Sequence, residues 1–177
     1  MAKNIVLGVT ASIALYKACD LIRRLQDAKY AVNVVMTEEA QKLINPVVFE
    51  SLSGNKVYCD MFEATSEWEI GHVSLADKAD LVLIAPATVN IIAKVAGGIC
   101  DDLLSCVVSA TEAPVLFAPA MNAKMYKNRI TQKNIGELKG LGYKFVGPKE
   151  GKLACGKTGI GCLADVEEIL KAVNKLV

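Results

Sequence analysis

A single histidine, His72, and a single tryptophan, Trp68, occur in this 177-residue chain. With one histidine and no Cys-x-x-Cys pair, the sequence offers no cluster of about four ligands for a structural zinc, so no metal is expected. Charge of one sign is not in excess either. Twenty Lys and Arg stand against 19 Asp and Glu, spread along the chain, without the basic stripe that a phosphate backbone requires, which excludes nucleic acid as a partner. Long apolar runs are missing too. The chain is 53% hydrophobic, yet its apolar stretches are short and broken by Pro, Gly or Asp. None reaches the roughly 18 residues of a membrane helix. The opening residues lead directly into a strand pattern, without the regions of a secretory signal. The expectation is a soluble, cytoplasmic protein with no membrane partner. Its six cysteines, Cys19, Cys59, Cys100, Cys106, Cys155 and Cys162, are then expected to be reduced thiols.

What is present is a regular alternation of two patterns. Continuous apolar runs at Ile5–Val9, Ala31–Met36, Leu81–Pro86, Pro114–Ala118 and Tyr143–Val146 read as buried strands. Between them lie segments with helical spacing, such as Leu15, Ala18, Ile22 and Leu25. The pattern predicts an α/β fold, a doubly wound and mostly parallel sheet of Rossmann or flavodoxin-like type, as one domain over residues 1–177. Asn45-Pro46 predicts a helix start and Ser53-Gly54-Asn55 a turn. A short helix is expected over Val73–Lys78, and further helices over Thr88–Ala96, Asp102–Thr111 and Asn128–Leu141. Asp165 with Glu168 signals a capping box for the last helix. The stretch Lys149–Leu163, rich in glycine and without period, reads as a long loop.

Ligands of such sheets bind outside the carboxyl ends of the strands. The loops there carry Ser12, Thr37 and Thr88 near predicted helix starts, where hydroxyls and free backbone N–H groups suit a phosphate. Each of the three, taken alone, is equally read as a helix cap. The first loop, Gly8-Val9-Thr10-Ala11-Ser12, is not the Gly-x-Gly-x-x-Gly dinucleotide fingerprint, and Met36-Thr37 stands where an acidic residue would hold a ribose. A mononucleotide therefore fits better than NAD.

Several segments carry a family resemblance. Thr10–Lys17 resembles the flavin loop of the homo-oligomeric flavin-containing cysteine decarboxylases. Gly71-His72-Val73-Ser74-Leu75 resembles their histidine segment, and Ala85–Asn90 with Gly97–Leu104 their next block. Pro119–Tyr126 resembles their asparagine motif, and Leu153–Gly161 their cysteine-bearing substrate flap. The resemblance covers nearly the whole chain. Ala11 departs from a frequent glycine, Tyr126 from a frequent tryptophan, and Cys162 from a residue that is often arginine.

The resemblance implies an FMN cofactor held by Ala11, Ser12, Ile13, Thr37, Thr88, Val89, Asn90 and Ile91. It implies substrate contacts from Asn122, Met125 and Ala120, with His72 as base and Cys155 as proton donor. The implied reaction converts 4'-phosphopantothenoylcysteine to 4'-phosphopantetheine in coenzyme A biosynthesis. Oxidation of the cysteine side chain to a thioaldehyde allows CO2 loss, and re-reduction of the enethiol completes the cycle. A small-molecule substrate, a homotrimer or multiple of trimers, and a fused or separate phosphopantothenate-cysteine ligase are implied with it. The alternatives are a peptidyl-cysteine decarboxylase, against which the Cys155 flap weighs, and a non-catalytic regulatory flavoprotein. His72 also admits a purely structural role, Asn122 a turn role, Cys155 a structural thiol and Met125 ordinary packing.

Overall fold

The structure is a computed structural model that describes residues 2–62 and 71–177. Six strands form a parallel sheet: β1 (Asn4–Val9), β2 (Ala31–Met36), β3 (Val57–Tyr58), β4 (Leu81–Ala87), β5 (Val115–Pro119) and β6 (Lys144–Phe145). Their spatial order is β3-β2-β1-β4-β5-β6, the doubly wound order that puts a topological switch point between β1 and β4. The expected fold class is borne out.

Alternation along the strands builds two cores. Ile5, Leu7 and Val9 of β1, Val34 and Met36 of β2, and Leu81 and Leu83 of β4 face one layer. Val6, Val35, Val82 and Ile84 face the other, as the period of two dictates. The first layer is covered by α1 (Lys17–Asp27), α3 (Pro46–Ser53) and α9 (Val166–Val173). The second is covered by α4 (Gly71–Lys78), α5 (Val89–Ala96), α6 (Leu103–Ala110) and α8 (Arg129–Gly140). Short α2 (Glu38–Gln41) and α7 (Ala123–Lys127) complete the α-helices among the described residues, and a 3-10 turn over Ile13–Tyr16, capped by Ser12, leads into α1. None of these helices is long and apolar enough to cross a membrane.

The helix starts follow local chemistry. Asn45 accepts from Val47 N–H at 3.0 Å with Pro46 in the first turn, and Gly54 ends α3 in the left-handed region at φ 72°. Asp102 accepts from Ser105 N–H at 2.8 Å while Ser105 Oγ accepts from Asp102 N–H at 3.2 Å, a reciprocal box. Glu168 Oε2 likewise accepts the Asp165 N–H at 3.2 Å.

One expectation is corrected, and two elements are added where no element was expected. The stretch from 37 to 62 also contains α2 and the edge strand β3, which pairs with β2 through Val57 and Tyr58 only. Two residues are too few to show a period. The expected loop Lys149–Leu163 is instead largely an antiparallel hairpin of β7 (Lys149–Lys152) and β8 (Thr158–Cys162). Its glycines have no side chains to alternate. It is held by pairing Gly151 with Gly159 and Lys152 with Thr158, and by docking on α7 rather than by an apolar face.

Candidate active site

At the switch point the ends of β1 and β4 are tied by one side chain. Thr10, 2% exposed, donates its hydroxyl to Pro86 O at 2.7 Å and accepts the Thr88 N–H at 3.0 Å. Ala120, just past β5, donates its N–H to Ala87 O at 3.0 Å. The three loops that leave β1, β4 and β5 are thereby fixed relative to one another. They form one wall of a cleft of about 640 Å³, and the β7–β8 hairpin forms the other.

The hairpin is held close to that wall by a glycine. Met121 N–H donates to Gly161 O at 2.9 Å, and a Cβ on Gly161, whose φ is +142°, would lie 2.1 Å from Met121 O. Only glycine permits this approach. The tip is closed by Leu153 N–H donating to Lys157 O at 2.8 Å and Gly156 N–H donating to Leu153 O at 2.9 Å. The tip carries Cys155 over Asn122, with Asn122 Nδ2 3.7 Å from Cys155 Sγ. The other end of the Asn122 amide caps α7, since Oδ1 accepts from Lys124 N–H at 2.9 Å. Its turn role and an exposed N–H pair facing the cleft are therefore compatible.

Of the residues singled out in the sequence, Ala11, Ser12, Ile13, Thr88, Val89, Ala120, Asn122, Met125 and Cys155 line this one cleft. Ile13 is 66% exposed and Met125 45%, so neither is core packing. The other four lie outside it. Thr37 begins α2 and donates its N–H to Val9 O at 3.2 Å. Asn90 is exposed on the first turn of α5, and the side chain of Ile91 is buried in the second core. His72 is in the first turn of α4, with Nδ1 buried and without a hydrogen-bond partner among the described residues. Lys78 at the far end of α4 meets β1 through Asn4 Nδ2 at 2.9 Å. The helix thus runs back from the carboxyl edge of the sheet, and His72 sits at the same edge as the cleft but on the face of the second core. Tyr16, Lys17, Met121, Lys152 and Cys162 also line the cleft. Tyr16 and Lys17 belong to the flavin-loop segment, whereas Lys152 precedes the flap motif and has no sequence signal of its own.

The cleft fits a flavin mononucleotide. Its volume falls in the range of cofactor pockets. Its floor is small at Ala11 and Ala120, and Ile13, Val89 and Leu153 give it apolar walls. Thr88 precedes α5 in extended geometry but makes no side-chain cap bond. The first N–H groups of α5 are thus left without a cap from that residue, beside a cleft, as an anion requires. Just outside the cleft, Lys149 donates to Asp165, and this contact first of all holds the Asp165 carboxyl below its ordinary range.

A model described as "Flavoprotein" matches residues 1–177. A probable phosphopantothenoylcysteine decarboxylase of Streptococcus mutans is 45% identical over 177 residues, covering 99% of both chains. The coenzyme A biosynthesis bifunctional protein CoaBC of Bacillus subtilis is 44% identical over 173 residues. That match covers 98% of this chain but only 43% of the relative, so the chain spans less than half of that protein's length. Among solved structures, the FMN-dependent cysteine decarboxylase SpaF superposes with a TM-score of 0.87 at 31% identity, covering 98% of this chain and 94% of that one. A PPC decarboxylase mutant complexed with pantothenoylaminoethenethiol gives 0.88 at 27%, covering 99% and 98%.

Proposed function

The chain belongs to the flavoprotein family, and from that premise we propose that it is an FMN-dependent phosphopantothenoylcysteine decarboxylase of coenzyme A biosynthesis, with residues 1–177 as its decarboxylase domain. The observation that carries this reading is the convergence of Asn122 and Cys155 over the switch-point cleft. The like-named relative that matches over its whole length supports the same substrate.

Ser12, Ala11 and Ile13 on one side and Thr88 and Val89 on the other would hold FMN, with Thr37 contributing at the start of α2 and Asn90 and Ile91 through their backbone in the first turn of α5. Bound there, FMN supplies a reversible two-electron acceptor that lets the cysteine side chain become a thioaldehyde and the later enethiol become a thiol. Asn122 Nδ2 donates to the substrate carboxylate. A neutral donor orients that group without adding a positive charge that would hold CO2 back. Met125 and Ala120 pack against the substrate. Cys155 Sγ delivers a proton to the enethiol as it is reduced. His72 is the base.

A homotrimer, or a multiple of trimers, gives His72 its place. It does not line its own chain's cleft, and with flavin near a subunit interface it serves the cleft of an adjoining copy. A phosphopantothenate-cysteine ligase, fused or separate, would supply the substrate, a reading supported by the bifunctional relative. The test offers FMN-loaded protein 4'-phosphopantothenoylcysteine and a cysteine-ended peptide together. Consumption of the first alone is expected, and consumption of the peptide alone would replace this reading with a peptidyl-cysteine decarboxylase.

A further inference from the structure

The cleft has a charge imbalance that the roles above leave unused. Lys17, the first residue of α1, and Lys152, the last of β7, both line it, and none of its described lining residues is Asp or Glu. Four other lysines, Lys42, Lys94, Lys133 and Lys149, stand in ion pairs, but neither Lys17 nor Lys152 has one among the described residues. Asp165, the acid whose carboxyl Lys17 helps to lower, is already engaged by Lys149, and Lys149 is the larger cause.

The position of Lys152 is set by its backbone. Cys162 Sγ donates to Lys152 O at 3.6 Å, and the tip closes immediately after it at Leu153. Its side chain therefore leaves the hairpin where the strand ends and the Cys155 tip begins. Two residues, Leu153 and Ala154, lie between Lys152 and Cys155, so their Cα atoms are at most about 10 Å apart. Two lysines without an ion pair among the described residues, on the lining of a largely apolar concavity, favour a ligand that brings its own negative charge. The neutral amide of Asn122 and the thiol of Cys155 occupy the reacting end, so that charge belongs at the ligand's other end.

We propose that Lys17 and Lys152 are specificity-determining residues that bind the phosphate monoester of the substrate, remote from its cysteine end; this rests on the substrate reading above. Lysine serves as a point charge for phosphate. A peptide ending in cysteine carries no such group, so the pair selects the phosphorylated small molecule. The phosphate of FMN is assigned elsewhere, to Ser12 and the uncapped start of α5.

The test measures kcat/KM of the FMN-loaded wild type, Lys17→Met, Lys152→Met and Lys152→Arg with 4'-phosphopantothenoylcysteine and with its dephosphorylated form. FMN and riboflavin affinities are titrated by fluorescence in the same preparations. The wild-type preference for the phosphorylated substrate should fall on the order of tenfold in each Met variant, through KM rather than kcat, since charge-assisted contacts are of that size. Lys152→Arg should restore it, and the wild-type KM for the phosphorylated substrate should rise with salt. An unchanged preference in an active enzyme overturns the anchor and leaves the decarboxylase reading standing. Weaker binding of FMN but not of riboflavin, with preference intact, also overturns it and gives the lysines to the cofactor. Absence of wild-type turnover on either form overturns the substrate reading and the anchor with it.

Discussion

Asn122 and Cys155, 33 residues apart in sequence, meet with the amide nitrogen 3.7 Å from the sulfur. One belongs to the loop after β5 and the other to the tip of the hairpin. Their meeting defines the end of the cleft at which the chemistry is proposed to occur.

Cys155→Ser should separate the two halves of that chemistry. A hydroxyl is a far weaker acid than a thiol, so CO2 is still released while reduction of the enethiol stalls. Mass spectrometry should find a product two hydrogens lighter than 4'-phosphopantetheine. Normal product from this variant would remove Cys155 from the mechanism.

Asn122→Asp keeps the cap on Lys124 N–H, because aspartate caps as well as asparagine. It loses the donor and places a carboxylate against a carboxylate. Thermal stability should hold while substrate KM rises tenfold or more, on the scale of about 1.5–3 kcal/mol for a charged hydrogen bond. A melting shift with unchanged KM would make Asn122 structural.

Thr10→Val would leave the Thr88 N–H and Pro86 O without their shared partner. The cost is about 1–3 kcal/mol of stability, and FMN affinity should fall with it because the α5 start is no longer fixed. Thr10→Ser should restore both in a titration and a melting curve. Equal FMN affinity in all three proteins would count against a positioning role.

The sheet was legible because its central strands are continuous apolar runs, and alternating cores follow once those runs are paired. The edges were not. Val57–Tyr58 is a strand only because β2 offers it hydrogen bonds. The Gly151 and Gly159 pair is a hairpin only because β8 docks against Met121. The same limit applies to the site. Ser12, Thr88, Asn122 and Cys155 announce themselves by residue type and motif. Thr10 matters for two backbone partners 76 and 78 residues away, and Lys152 for lining a cleft whose described lining residues include no acid, and both are properties of the folded chain alone.

Gly161→Ala should displace the flap, since its Cβ would lie 2.1 Å from Met121 O. A shift of about an ångström costs on the order of a hundredfold in turnover. FMN absorbance in the purified variant should persist while kcat/KM falls, and near-normal kcat/KM would mean the flap tolerates a second position.

Asp102 gives the fold an acid-sensitive joint. Burial alone would push its carboxyl up, but the Lys94 ammonium at 2.6 Å and the Ser105 donors outweigh it and hold it below the ordinary value. A carboxyl lowered on folding stabilises the protein above its unfolded value, near pH 4, and loses that contribution as pH falls through the lower folded value. Asp102→Asn retains the cap, so its deficit in urea midpoint against wild type should be present at pH 7 and shrink well below pH 4. A deficit that does not change with pH would show that the ion pair is not its source.

The most direct test follows CO2 and product mass together when FMN-loaded protein meets 4'-phosphopantothenoylcysteine as sole substrate. One CO2 released for each 4'-phosphopantetheine formed is the predicted result. Bound FMN with no CO2 released would contradict the account.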